Sequence, residues 1–307
     1  MIKALSYNQN SFLENRWWIY QKERFPIFKY GFLIAIFSGS AVGYASLTNS
    51  TQLNFWSAWG VAFLVAFGCF AQMRIADEFK DYKDDCRYRP HRAVPRGLVS
   101  RSELGWLGVC IGLVQLIAVC FFKLNILGYL LLIWIYFDLM CIEFGVKKWL
   151  KKHLGAYMLS HMVILPLIAL FCLACIGSPQ IEYLPFCLTC FLNGMVIEIG
   201  RKIRAPQDEK IGVETYSSTW QPKRSAIIWL GAIFLTVIAA VITAVNIDFW
   251  QETLVVLAPF TLIATLISLR FINRLNSVSA KWIDHMSGIW TIMLYFSLGL
   301  LPLALHT

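Results

Sequence analysis

Nine apolar stretches of near-uniform length divide this chain, and they leave few folds open to it. They run over about 28–47, 54–73, 103–122, 125–145, 156–176, 183–200, 225–246, 250–269 and 286–305. Each is close to the ~20 residues that a helix needs to cross the hydrocarbon of a bilayer. Backbone polar groups at that depth must be satisfied within the segment, which selects the helix. Composition agrees: 58% of residues are hydrophobic and 15% charged, where a soluble domain carries roughly a quarter charged residues. The expected fold class is all-α, a polytopic membrane protein of nine transmembrane helices forming a single domain over residues 1–307.

The connections alternate in length. Thr48–Leu53, Lys123–Leu124, Gly177–Glu182 and Asn246–Phe249 are short. The N-terminal segment and the other connections hold 26 of the chain's 27 Lys and Arg, leaving only Lys123 opposite. The positive-inside rule then predicts a cytoplasmic N-terminus and cytoplasmic long loops, with the C-terminus outside. An odd number of spans requires the same. Residues 1–27 are expected to form a cytoplasmic interfacial segment, with Arg16-Trp17-Trp18-Ile19-Tyr20 at headgroup level. They lack the short apolar core of a cleavable signal. The net charge of +9 reads as attraction to the lipid bilayer's anionic headgroups. Nucleic acid is not an expected partner, because the basic residues lie beside acids in membrane-proximal loops.

The chemistry concentrates where the second apolar stretch ends. There the chain reads Arg74-Ile75-Ala76-Asp77, and Asp77-x-x-x-Asp81-x-x-x-Asp85 follows without Gly or Pro before Tyr88. Acids four residues apart drift by only about 40° per step, so they share one stripe of a helix. Like charges on one stripe repel unless a cation separates them. A second cluster, Glu198 to Glu214, holds Arg201, Lys202, Arg204 and Asp208 at the comparable end of the sixth stretch. Mg²⁺ takes oxygen ligands, usually one or two carboxylates with substrate phosphate completing the shell. Lys and Arg nearby would neutralise a diphosphate further.

Other residues read more plainly. Pro26 should start the first helix, and Ser100-x-x-Glu103 is a capping box for the third. Asp138 lies within the fourth stretch, where an acid is costly and rarely faces lipid. Glu143 and Lys147 are one turn apart if the helix continues, which predicts an intrahelical ion pair. His161 precedes Pro166, an expected kink. The pairs Cys172-x-x-Cys175 and Cys187-x-x-Cys190 have zinc-like spacing but sit in apolar helices without nearby His or acids, so they are expected to pack.

Taken together these residues resemble the UbiA-type intramembrane prenyltransferase superfamily. Its first motif, N-x-x-x-D-x-x-x-D, is similar to Asp77-x-x-x-Asp81-x-x-x-Asp85 with Asp in place of Asn. Its R-P-x-x-x-G segment resembles Arg92-Ala93-Val94-Pro95-Arg96-Gly97. Its second motif, D-x-x-x-D with a K-x-G-like turn, is matched in its second half by Asp208-Glu209-Lys210-Ile211-Gly212, with Arg204 where the first Asp is expected. A Tyr-x-x-x-Lys element resembles Glu143-x-x-x-Lys147. The resemblance implies nine helices around a central cavity open to the membrane, with two acidic motifs holding prenyl diphosphate through Mg²⁺. It implies Asp77, Asp81, Asp85 and Asp208 as metal ligands, with Glu198 a candidate for the missing acid. Arg92, Lys147, Arg201, Lys202 and Arg204 are expected at the diphosphate. Asp77, Asp81, Asp138, Glu143, His161 and Asn193 are expected to take part in catalysis, the last four through the acceptor or a proton.

The leading expectation is Mg²⁺-dependent transfer of a prenyl group from its diphosphate to a lipophilic acceptor. Membrane terpene cyclisation, which needs no acceptor, is the rival. A transporter would place its ionisable groups near the midplane on broken helices, whereas here they gather at helix ends.

Overall fold

The computed structural model describes residues 15–49 and 54–306, and these contain helix and no strand. Lys3 and most of the Thr48–Leu53 connection lie outside the described residues. Nine helices among those described are long and apolar enough to cross a membrane. The first is α2 (Ile27–Thr48), preceded by the short α1 (Arg16–Arg24) and started at Pro26. Next come α3 (Phe55–Lys80), the short α4 (Tyr82–Tyr88) and α5 (Arg101–Phe122), whose start carries the Ser100–Glu103 capping box. The fourth span ends in α6 (Leu127–Cys141), followed by the short α7 (Lys147–Lys152). The fifth is split into α8 (Leu154–Met162) and α9 (Ile164–Ala174). Then follow α10 (Tyr183–Arg201), the short α11 (Tyr216–Trp220), α12 (Pro222–Val245) and α13 (Trp250–Asn273). The last span is α14 (Ser277–Tyr295), one π turn over Phe296–Leu300, and α15 (Leu301–His306).

Helices α2, α3, α6, α8, α9, α10 and α14 surround a cavity. Helix α10 is central, packing on α9, α12 and α14, while α2 packs on α3 and on the π turn of the last span. That last contact needs residues without side chains. A Cβ on Gly299 would lie 2.1 Å from the Ser40 carbonyl oxygen, and one on Gly43 would lie 2.9 Å from that of Gly299. Small residues let two helix backbones touch, and dispersion and Cα–H···O contacts then replace the hydrophobic drive that lipid does not supply.

Two local features redirect the chain. Pro166 has no N–H to give the Met162 carbonyl, so α8 stops and α9 restarts after Val163. The fourth span, expected to reach residue 145, stops at Cys141 because Glu143 and Phe144 adopt left-handed backbone (φ 53° and 52°). The expected Glu143–Lys147 ion pair is therefore absent: the two no longer share a helix, and Glu143 is paired with Lys80 instead. The last span begins at Ser277, nine residues before the expected start.

Helix α1 lies on the end of the bundle that carries the long charged loops. Arg16 bonds Glu103 at 2.6 Å, and Arg96 from the loop after α4 bonds Glu23 at 2.8 Å. Beneath it, Tyr20 joins Ile75, Val94, Val99 and Leu104 in a small satellite core.

Gly299→Leu should lower stability by about 3 kcal/mol or more, since no rotamer clears the Ser40 backbone. Gly60→Ala, which meets nothing within 4 Å, should leave it unchanged or raise it by up to about 1 kcal/mol. Thermal midpoints of the two variants in detergent check both.

Candidate active site

A cavity of about 420 Å³ opens at the charged end of the bundle. Its polar mouth is lined by Arg24, Arg74, Asp77, Lys80, Asp81, Arg92, Glu198, Arg201 and Lys202. Six cations thus face three carboxylates, so the mouth suits an anion. The inner walls are apolar: Phe37, Phe70, Met73, Phe137, Met162 and Leu165, with Asn193, Thr291 and Tyr295 as polar points among them. Phe37 meets Phe70 and Tyr295 edge-on, with ring centroids 6.4 and 5.1 Å apart.

The acidic stripe is built as its spacing suggests. Asp81 is a single non-helical residue between α3 and α4, yet the bonds from Asp81 N to Asp77 O (2.9 Å) and from Asp85 N to Asp81 O (2.8 Å) run through it. The three acids have different surroundings. Asp77 bonds Arg74 at 3.1 Å. Asp85 is buried and held by Arg89 at 3.0 Å and Arg92 at 2.7 Å. No salt bridge among the described residues reaches Asp81. Burial, and then repulsion from Asp77 and Asp85, holds its carboxyl above the usual carboxylate range. Burial lowers the Arg92 guanidinium from its ordinary value, with Asp85 opposing.

On the opposite wall, Glu198 is already committed to two cations. Arg201 bonds it at 2.6 Å and Lys202 at 2.8 Å. Arg204 does not line the cavity: its guanidinium bonds the Ile203 carbonyl at 3.0 Å, and its backbone N–H donates to Ser217 Oγ at 2.8 Å. Asp208 lies in a one-turn helix, Pro206–Asp208, away from the lining. Among the described residues there is no group of three or more His, Cys, Asp or Glu that could hold a metal by itself.

The structure thus brings Asp77, Asp81, Arg92, His161, Asn193, Glu198, Arg201 and Lys202 of the expected residues to one cavity. It does not bring Asp85, Asp138, Glu143, Lys147, Arg204 or Asp208 to the lining. Asp138 and Lys147 are exposed, and Glu143 is buried behind Lys80. Arg24, Arg74, Lys80 and Tyr157 line the cavity without having been singled out from the sequence. Arg24 is positioned by a buried ion pair with Glu78 of α3. A buried acid one residue after Asp77 was the one available signal that a cation must reach it. The expected packing role of the cysteines holds: Cys172, Cys175 and Cys190 are buried and free.

Fold and site together define an integral, multi-pass membrane protein with a cation-rich mouth leading to an apolar interior. The sequence matches the UbiA prenyltransferase family over residues 32–304, and the chain belongs to that family. Two solved structures share its fold. One comes from work on digeranylgeranylglyceryl phosphate synthase in membranes, with TM-score 0.60, 16% identity, and coverage of 92% of this chain and 98% of that one. The other is the apo structure of a UbiA homolog from Aeropyrum pernix K1, with TM-score 0.65, 13% identity, and coverage of 86% and 96%. No curated protein sequence matches the chain.

Two substitutions separate the acids. Asp85→Asn should leave two arginines without their buried partner and destabilise by about 3 kcal/mol, with Mg²⁺ affinity little changed. Asp81 behaves oppositely. Its folded-state value is raised, so the folded chain binds the proton more tightly than the unfolded one. Stability is then lost as pH rises from the unfolded value through the folded one. Asp81→Asn should raise the metal-free thermal midpoint at pH 7 and leave it unchanged near pH 3, which melts at the two pH values check.

Proposed function

We propose that the protein transfers a prenyl group from its diphosphate to a lipophilic acceptor within the membrane, with Mg²⁺ at the first acidic motif. The observation that carries this reading is the polarity of the one cavity in this family's fold: an excess of cations at its mouth and an aromatic, apolar interior. The diphosphate would sit among Arg24, Arg74, Lys80, Arg92, Arg201 and Lys202. The prenyl chain would extend between Phe70, Phe137 and Leu165, where water is excluded and ring faces stabilise a developing cation.

The residues fit one Mg²⁺. Asp77 and Asp81 are adjacent on the stripe, and a divalent ion would relieve the repulsion that raises Asp81. Two carboxylates are the usual protein share of such a shell, with substrate oxygens and water completing it. When bound, the ion would neutralise charge on the departing diphosphate. The second motif does not fit a metal, because Glu198 is neutralised by Arg201 and Lys202, and Asp208 stands apart. On that side the cations themselves would meet the diphosphate. Asp85 would serve the site indirectly, by holding Arg92 at the mouth. The positive-inside bias supports a mouth that opens to the cytoplasm.

A second reading, cyclisation without an acceptor, draws on the same aromatic interior, since Phe37, Phe70 and Tyr295 could stabilise a folded cation as well as a transferred one.

Asp81→Ala should lower kcat/KM for diphosphate release by about a hundredfold or more, the scale expected when a stabiliser of transition-state charge is removed. Unchanged turnover would exclude Asp81 from the site. Incubating the protein with geranyl, farnesyl and geranylgeranyl diphosphates alone, followed by mass analysis, separates the readings. Terpene products beyond simple hydrolysis mean cyclisation; products that form only with membrane lipid present mean transfer.

A further inference from the structure

Capture of a prenyl cation releases a proton, and nothing assigned so far receives it. Beside the mouth, four groups from three elements meet. Lys80 of α3 pairs with Glu143 and donates to the Tyr157 hydroxyl at 2.8 Å. Tyr157 stacks on His161 with centroids 3.9 Å apart. The Nδ1 of His161 lies 2.8 Å from the Tyr157 carbonyl. A carbonyl only accepts, so Nδ1 carries a hydrogen and the neutral ring presents its lone pair at Nε2. That Nε2 faces Glu143 Oε2 across 3.5 Å. Neither atom has a hydrogen-bond partner among the described residues, although His161 is only 8% exposed and Glu143 only 3%. Two buried acceptors therefore face each other across a gap that one proton would bridge.

The local backbone holds this arrangement at a cost. Glu143 and Phe144 are consecutive left-handed residues, neither of them glycine, and such conformations persist where surrounding contacts over-determine them. The turn aims Glu143 inward, and the Phe144 ring meets His161 edge-on at 5.9 Å. His161 and Tyr157 both line the cavity, while Glu143 lies behind them.

We propose that His161, backed by Glu143, is the base that takes up the proton released when the prenyl cation is captured. The proposal rests on the transfer reading. The C–O bond to the diphosphate breaks with its electron pair leaving on the diphosphate. The acceptor's electron pair forms the new bond to carbon, and the acceptor's proton passes to His161 Nε2. The resulting imidazolium then lies against the Glu143 carboxylate, whose other oxygen stays with Lys80. Glu143 is a positioning residue; it acts through His161. In the cyclisation reading the same base would take a C–H proton next to the cation.

The test is the ratio of coupled product to diphosphate released. Wild type, His161→Gly, Glu143→Gln and the double variant are reconstituted in total membrane lipid from the native host, with labelled geranylgeranyl diphosphate and Mg²⁺. Coupled product is any labelled species other than the prenyl alcohols. The ratio should fall by about a hundredfold in His161→Gly, the scale of a lost general base, and added imidazole should restore it in a concentration-dependent way. Glu143→Gln should lower it too, and the double variant should be no worse than His161→Gly, since residues acting as one unit are not additive. Thermal midpoints confirm folding. An unchanged ratio in His161→Gly, or a loss that imidazole does not restore in folded protein, would overturn the base assignment while leaving transfer standing. A wild type that releases no diphosphate would overturn the transfer reading, and this proposal with it.

Discussion

Desolvated charge is the constraint on which this structure turns. An ion taken from water into a helix bundle costs several kcal/mol unless a partner meets it. The interior acids here have partners supplied from distant points of the chain. Arg24 of α1 reaches Glu78 of α3, and Lys80 of α3 reaches the turn after α6 at Glu143. Asp85 takes two arginines from the loop that follows it, and Glu198 takes two cations from its own helix end. The first two pairs fix helix ends against one another, as no apolar contact among lipid-like side chains would. Once these acids are matched, Asp81 is left among them without a salt bridge, and cations remain in excess at the cavity mouth. The affinity for an anion is thus a residue of the pairing.

How much of this the sequence discloses depends on the range of the interaction. The nine spans and the acidic stripe are local: segment length and four-residue spacing specify them, and both are found. The left-handed pair Glu143-Phe144 is not legible, because non-glycine residues rarely adopt that backbone and nothing in the pattern marks it. It is enforced from outside by Lys80, 63 residues earlier. Arg24 and Lys80 are also invisible as site residues, since a cation at a helix end looks like any other contribution to the positive-inside bias. Asp138 misleads in the other direction. An acid within an apolar stretch suggests a cavity, but α6 ends three residues later, so this carboxylate lies near the helix end, where the burial argument weakens.

The second charged loop shows how a motif position can change its work. Arg204 stands where a metal ligand is expected, but it is turned back onto its own loop through Ile203 and Ser217. Gly212 has φ +78°, and a Cβ there would lie 2.6 Å from the Tyr88 ring. The glycine therefore lets this loop close against α4, the helix that carries Asp85. The segment keeps its place beside the first motif through packing, while its acids no longer face the cavity. Its contribution to the mouth is made one turn earlier, by Glu198, Arg201 and Lys202 on α10.

On the proposed reading the cation excess also dictates the order of substrate along the cavity. A field that attracts diphosphate repels the carbocation formed beside it, so the same charges cannot stabilise both. The cation must be met by groups that are negative only in their quadrupole, and the rings of Phe37, Phe70, Phe137 and Tyr295 supply these within the apolar part of the lining. Asn193 places one polar group among them, nearly fully buried and with its amide nitrogen unpaired. It stands five residues before Glu198 on α10, a separation of about 7.5 Å at 1.5 Å per residue. That distance puts the amide beyond the diphosphate, alongside the carbons where capture would occur. An oxygen-bearing acceptor there would satisfy the amide, whereas a hydrocarbon chain folded on itself would leave it unpaired at a cost of about 1–3 kcal/mol. This difference is the structural reason to rank transfer above cyclisation.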